Sequence, residues 1–553
     1  MAERAARGGR SGDMTPVVDL TRERGTGPAR SRRPLYVDLL APCGGACTAG
    51  EDVAGWLGLC QAGRYREAWE RIVADNPLPA VHGRVCYHPC EEACNRGFLD
   101  APVGIHAVER FLGDLAADEG WPLPAAAVPS GKRVLVVGAG PGGLAAAYHL
   151  RRLGHEVEVH EAGPVAGGMM HFGIPAYRLP RADLLKEVRR IEAMGVRFRF
   201  GHRVEDVLAE QAAGAYDAVF LAIGTQAARH VDIPARDAAR VLDAVSLLHD
   251  VGSGDPPLLG RRVVVYGAGN SAMDAARTAR RLGATETLIV YHRDRAHMAA
   301  HAFEADEALA EGVKIRWLTS IKAISGQDLT VERVELDPSG HPQPTGQVET
   351  LRADAVVLAL GQQTDAGFLR GVPGIALRED GSVAVDGQLM TGHPGIFAGG
   401  DMVPGERTVT AAMGHGKLAA RHIDAWLQGG RYVPPARPAL AAFELLHLPV
   451  FSDVDPAAQP QRAPAARTRD FEEVVAGLDE AAARREAQRC LSCGTCYECD
   501  NCFAACPETA IIKLGPGLRY AVDYGRCTGC AVCVEQCPCH AIEMVPEPAA
   551  PGE

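Results

Sequence analysis

The chain has 553 residues, enough for roughly three or four domains. Its 47% hydrophobic content allows sizeable cores, while a net charge of −12 argues against nucleic acid as a partner, because neutralising phosphates needs a basic face. No apolar run is long enough to span a bilayer, and a cytoplasmic protein is expected.

In chain order, residues 1–34 are rich in Arg, Gly and Ser and lack an apolar stretch. They read as a disordered tail rather than a secretory signal, with an Arg-rich targeting arm as the other reading. Residues 35–115 have a helical pattern and carry Cys43-x3-Cys47, Cys60 and Cys86-x3-Cys90-x3-Cys94. Gly113–Gly131, with its Trp-Pro-Leu-Pro, reads as a linker. Residues 132–430 alternate β-branched runs with helical patterns, which implies parallel α/β architecture. Residues 431–483 are rich in Pro and Ala and read as a surface connector, and 484–548 form a compact Cys-rich module. None of the 17 cysteines lies between Cys94 and Cys490. Two metal-bearing ends around a cysteine-free middle explain that segregation better than disulfides do.

Within the middle, Lys132–Ala162 and Arg261–Arg293 are two copies of a strand, glycine turn, helix, strand unit. In the first copy Gly138, Gly140 and Gly143 fit G-x-G-x-x-G after a buried strand, and Glu161 ends the second strand, where a carboxylate can accept from a ribose diol. The second copy keeps Gly267 and Gly269, but Ala272 stands at the third glycine position. Its second strand ends without an acid, and Arg293 is placed to pair with a 2′-phosphate, which favours NADP over NAD. Arg293 also reads as a plain loop charge. Asn270 and Asp274 are further candidates at this turn, though both also suit capping and packing of their own helix. The strand ending Gly399-Gly400-Asp401 and the helix opening at Thr408 assign the first site to FAD. The expected fold is therefore two Rossmann-like dinucleotide-binding domains, FAD (132–225 and 355–430) and NAD(P) (226–354). A helical Fe–S domain and an α+β bacterial-ferredoxin domain flank them.

The C-terminal module carries two runs of the form C-x2-C-x2-C-x3-C-P: Cys496, Cys499, Cys502, Cys506 and Cys527, Cys530, Cys533, Cys537. In such runs the fourth cysteine ligates the other cluster. One [4Fe–4S] cluster is thus expected on Cys496, Cys499, Cys502 and Cys537, and a second on Cys527, Cys530, Cys533 and Cys506. Zinc on four thiolates is the alternative. Cys490, Cys493 and Cys539 read as spares, although Cys490-x2-Cys493-x2-Cys496 continues the spacing backwards and leaves a shifted frame or a further site open.

The motifs Cys90-Glu-Glu-Ala-Cys94-Asn-Arg-Gly and Gly167-Gly-Met-Met-His-Phe-Gly-Ile-Pro-Ala-Tyr-Arg-Leu-Pro180 resemble the small subunit of NADPH-dependent glutamate synthase. Its iron–sulfur domain is shared with dihydropyrimidine dehydrogenase. That family usually holds two [4Fe–4S] clusters there and uses an earlier Cys-x2-Cys pair, which is absent before Cys43. Six cysteines suffice for one all-cysteine cluster, with a second only if other ligands fill in; one is expected, drawing on Cys47, Cys86 and Cys90 among Cys43, Cys47, Cys86, Cys90 and Cys94, with the fourth ligand open and buried thiols without metal as the alternative. The resemblance implies an electron-input module. Hydride from NADPH arrives as a pair, flavin splits it, and clusters accept single electrons. Hydride transfer demands no acid–base residue, so no catalytic side chain is named. The implied partner is a large catalytic subunit, with a 2-oxoacid oxidoreductase, a ferredoxin or a stand-alone reductase as alternatives.

Overall fold

Strand Arg133–Val137 reads Arg-Val-Leu-Val-Val and buries its last four side chains, the pattern of a parallel strand covered on both faces. In the computed structural model, which describes residues 30–124, 128–228, 233, 235–236, 240–448 and 451–548, it is the centre of a five-stranded parallel sheet. The order is Ile396–Ala398, Ala218–Leu221, Arg133–Val137, Glu156–His160, Arg197–Arg199. A second parallel sheet repeats that plan as Arg240–Asp243, Ala355–Leu358, Arg262–Tyr266, Glu286–Val290, Lys314–Arg316. Residues 355–358 were expected in the FAD domain. They pair instead with Arg262–Tyr266 and Arg240–Asp243, so the chain returns later, where Gln362–Gln363 pairs antiparallel with Ala227–Ala228.

The N-terminal domain packs helices Val53–Gln61, Tyr65–Val73 and Ile105–Asp118 around Trp56, Leu57, Ile72 and Leu112, while helix Pro79–Val85 buries Val81 and Val85 in the core shared with Trp69 and the first sheet. The last helix runs through Gly113–Asp118, where composition suggested the start of the linker. Gly113 is there for close packing, since a Cβ would meet the Ala80 nitrogen at 2.3 Å. The domain docks on helix Val409–Leu427. The buried Lys417 Nζ donates to Ala49 O (2.7 Å) and Gly50 O (3.2 Å) and pairs with Asp75 at 2.5 Å.

At the other end, Arg32–Tyr36 forms a strand antiparallel to Ile542–Pro546. Residues 30–34 are therefore structured rather than tail, and residues 1–29 lie outside the described residues. The Cys-rich module also begins differently from its expected start at 484. Helix Glu480–Ala487 and the turn after it belong to the N-terminal core, where Ala487, Leu491 and Cys493 pack with Trp56, Leu57 and Leu112. Arg489, fully buried, locks this seam by donating to Glu486 (2.7 Å), Ala101 O (2.7 Å), Pro102 O (3.0 Å) and Val454 O (3.0 Å). Among the described residues no helix is long and apolar enough to cross a membrane.

Candidate functional site

Both glycine turns open onto one cavity of about 1140 Å³. Gly138 and Gly267 take φ of +102° and +130°, and a Cβ on either would strike a carbonyl, Ala222 O at 2.5 Å or Ala359 O at 2.2 Å. Gly140 and Gly269 differ: a Cβ there meets no protein atom within 4 Å, because the space in front of them is the cavity. Gly143 lies behind the turn, where a Cβ would sit 1.9 Å from Gly138 O. That is a helix-to-strand packing role.

Glu161 lines the cavity, yet both its oxygens already accept backbone N–H groups, from Ala139 and Gly163, each at 2.7 Å. Gly400 and Asp401 also line the cavity, and Gly400 Cα would lie 3.7 Å from a Cβ on Gly142 in the first turn. Asp401 Oδ1 is buried without a hydrogen-bond partner among the described residues, and burial pushes its carboxyl up to about 6. An orphaned acceptor on a residue that lines the same cavity as an open glycine turn fits a dinucleotide that brings hydroxyl donors.

At the second turn, Asn270 Nδ2 donates to Tyr87 OH (2.7 Å), and its Oδ1 accepts from His301 N (3.2 Å). Asp274 is ion-paired to the buried Arg178 at 2.7 Å. These two candidates line the cavity but are held by protein partners. Arg293 is not among the lining residues; it lies beside Tyr291 with its buried Nε unpartnered, and His292 faces the cavity instead. Arg178 and Tyr87 were not foreseen. Tyr87 belongs to the N-terminal domain and stacks on His301 with centroids 3.8 Å apart, a long-range contact without a local signature.

Tyr87 and Val85 both line the cavity and flank Cys86. The Cys86 sulfur accepts from Thr410 Oγ1 (3.1 Å) and His88 N (3.4 Å). Burial, and then repulsion from Cys86, Glu91, Cys47 and Glu109, pushes the Cys90 thiol far up. Glu109 is also a neighbouring charge of Cys47 and Cys86. Burial, then Glu51, raises its own carboxyl to about 7, against the pull of His82. Asn76 Nδ2 holds it at 2.7 Å. Cys47, Cys86, Cys90 and Glu109 thus form one group.

The remaining cysteines sort into three further places. Cys506, Cys527, Cys530 and Cys533 line one small cavity. Cys496, Cys499, Cys502 and Cys537 are mutual electrostatic neighbours, with Cys539 3.8 Å from Cys537. Backbone N–H groups point at the sulfurs: Gly529 N to Cys527 (3.4 Å), Ala510 N to Cys506 and Ala541 N to Cys537 (both 3.2 Å). Such donors favour thiolate and suit cluster ligands. Third, Cys43 and Cys94 meet Cys490 and Cys493 around another small cavity. Cys60 is fully buried in the apolar core beside them.

These features define a two-dinucleotide, iron–sulfur oxidoreductase. Residues 132–416 match the pyridine nucleotide-disulphide oxidoreductase family, and the chain belongs to it. Residues 30–121 match the 4Fe-4S cluster domain II of dihydropyrimidine dehydrogenase, and 520–543 match a 4Fe-4S binding domain. The chain is 39% identical over 501 residues to the NADP(+)-dependent formate dehydrogenase subunit beta of Moorella thermoacetica, covering 82% of this chain and 70% of that one. It is 32% identical to the NADPH-Fe(3+) oxidoreductase subunit beta of Geobacter sulfurreducens, covering 82% and 75%. It is 33% identical to the glutamate synthase [NADPH] small chain of Mycobacterium tuberculosis, covering 73% and 89%. The chain is accordingly an electron-transfer oxidoreductase using NADPH, FAD and 4Fe-4S clusters.

Proposed function

We propose that this chain is the NADPH-oxidising subunit of a larger enzyme and delivers single electrons to a partner protein. The carrying observation is the shared cavity: two dinucleotide turns face it, and Val85 and Tyr87, the residues on either side of Cys86, line its wall. On this reading Gly140, Gly400 and Asp401 face FAD while Gly138, Gly143 and Glu161 shape the turn that receives it, and Gly267 and Gly269 cradle the NADP pyrophosphate. Asn270 and Asp274 fix the second turn through Tyr87 and Arg178. Bound flavin would supply the conversion of a hydride into two single-electron deliveries. The ferredoxin runs hold two clusters in the crossed pattern, and Cys47, Cys86, Cys90 and the Glu109 carboxylate hold one more.

The partner reading rests on relatives named as beta subunits or a small chain. The test is anaerobic titration of purified protein with NADPH. Bleaching of flavin absorbance and loss of the brown cluster absorption are expected, and a protein that NADPH cannot reduce ends the proposal. Pull-down of a large subunit from the native cell separates the subunit reading from a stand-alone reductase.

Arg293 is assigned to 2′-phosphate selection, swinging from Tyr291 toward the cavity. Arg293→Ala should raise KM for NADPH by roughly 10-fold or more, as expected for losing a charge-assisted contact, with KM for NADH unchanged. Equal effects on both nucleotides would remove that role.

A further inference from the structure

We infer that Cys43, Cys94, Cys490 and Cys493 bind a further [4Fe–4S] cluster, shared between the N-terminal domain and the segment that leads into the ferredoxin runs. The inference rests on the iron–sulfur reading above and extends it to residues that local spacing leaves as spares.

Four cysteine side chains line one small cavity, walled on the apolar side by Leu57 and Ile105. Cys43 and Cys493 are buried, and Cys94 and Cys490 are half-buried. Hydrogen-bond donors reach both sulfurs of the Cys490 and Cys493 half. Ser492 N points at the Cys490 sulfur (3.4 Å), the same i+2 contact that Gly529 N makes to Cys527 and His88 N makes to Cys86. Asn95 Nδ2 donates to the Cys493 sulfur (3.3 Å) and to Ala441 O (2.8 Å), so a side chain next to Cys94 reaches across to the other half. Four thiols gathered at one cavity, two of them with N–H donors aimed at sulfur, are the donor set of a cluster rather than of a hydrocarbon core.

Position strengthens the case. Cys47 N bonds to Cys43 O at 3.1 Å, so one helical turn gives Cys47 to the group beside the cavity wall and Cys43 to this one. Helix Pro89–Glu92 does the same with Cys90 and with Cys94 just beyond it. On the other side Cys493 and Cys496 are three residues apart, at most about 11 Å between Cα atoms. The thiol groups are therefore linked in order: the group of Cys86, whose neighbours Val85 and Tyr87 line the cavity, then the shared set, then the ferredoxin pair. A cluster here would take and release one electron with no bond made or broken, and would close the gap between the two ends of the chain. It also answers the missing Cys-x2-Cys pair before Cys43: Cys490-x2-Cys493 supplies it from the far end of the sequence.

The test uses the full chain purified anaerobically, comparing Cys43→Ala/Cys94→Ala, Cys490→Ala/Cys493→Ala, the quadruple variant and Cys60→Ala. The wild type should hold about sixteen iron atoms and as many labile sulfides for four clusters. Each pair variant should lose about four of each, the quadruple variant should lose no more than either pair, and Cys60→Ala should lose none. Flavin content should stay constant throughout. Unchanged iron in the Cys490/Cys493 variant, losses that add in the quadruple variant, or zinc in place of iron would each overturn the assignment. If a pair variant does not fold, alkylation mapping of the wild type replaces it. The four thiols should become reactive together, at the rate at which chelator removes cluster absorbance, while Cys60 stays protected; labelling that runs ahead of iron loss is the contrary result. Wild type that lacks flavin, or that NADPH cannot reduce, tells against the function proposed above; intact flavin reduction with iron indifferent to Cys490 and Cys493 tells against this site alone.

Discussion

Neighbouring glycines of one motif answer to different forces. Gly143 is required by the protein, since its missing Cβ leaves room for Gly138 O at 1.9 Å. Gly140 is required only by the ligand, since nothing of the protein lies within 4 Å of its absent Cβ. Gly140→Ala should therefore fold with an unchanged Tm as apoprotein and fail to retain flavin. Gly143→Ala should lower the apoprotein Tm, with a cost of about 1–3 kcal/mol for overpacking. Equal Tm losses in both variants would contradict the division. Asp401 adds a charge argument at the same wall. On the function proposed above its unpartnered Oδ1 is the acceptor left for a bound flavin nucleotide, and Asp401→Ala should weaken flavin binding by roughly 10- to 150-fold, the worth of one hydrogen bond to a charged group. Equilibrium dialysis of flavin against the apoprotein measures it.

Helix Pro79–Val85 is capped by another element rather than by its own sequence. Its cap residue, Leu78, offers no side-chain bond; Glu187, on helix Arg181–Ala193, accepts from Ala80 N and Val81 N at 3.1 Å each. Burial outweighs those two bonds and pushes the Glu187 carboxyl up to about 8. The folded value lies above the unfolded one of about 4.3. Its contribution to stability is thus fully present below about pH 4.3 and is lost as pH climbs through about 8. Glu187→Gln keeps a carbonyl acceptor and carries no charge. Its Tm relative to the parent should improve steadily as pH rises across that window, and parallel Tm profiles would refute the assignment. Elements like the two glycine turns were legible because strand, turn and helix lie together in sequence. Glu187 above its helix, Tyr87 under Asn270 and Arg178 on Asp274 were not, since each pair joins residues about a hundred or more positions apart and neither partner has a distinctive local pattern. The cysteine runs show both cases at once: spacing alone groups Cys496 to Cys506, whereas Cys490 and Cys493 look redundant until the fold sets them against Cys43 and Cys94.

Taken as a whole, the chain is interlaced from end to end. Its N-terminal strand completes a pair with the last strand, and the segment entering the ferredoxin runs fills the core of the first domain. Two truncations separate that interlacing from a simple appended module. Ending the chain after residue 495 keeps Glu486, Arg489, Leu491 and Cys493 in place and removes the ferredoxin runs together with the strand Ile542–Pro546 that pairs with Arg32–Tyr36. About eight iron atoms should be lost, with the flavin retained and the N-terminal domain still folded. Ending it after residue 479 leaves Gly104 N, Ala101 O and Pro102 O without Glu486 and Arg489, each buried loss costing about 1–3 kcal/mol. It also strips Ala487 and Leu491 from around Trp56. The shorter protein should lose about twelve iron atoms or more and unfold at a clearly lower temperature than the longer one. Iron analysis and thermal unfolding of the pair decide it, because an independent C-terminal module would make the two truncations indistinguishable.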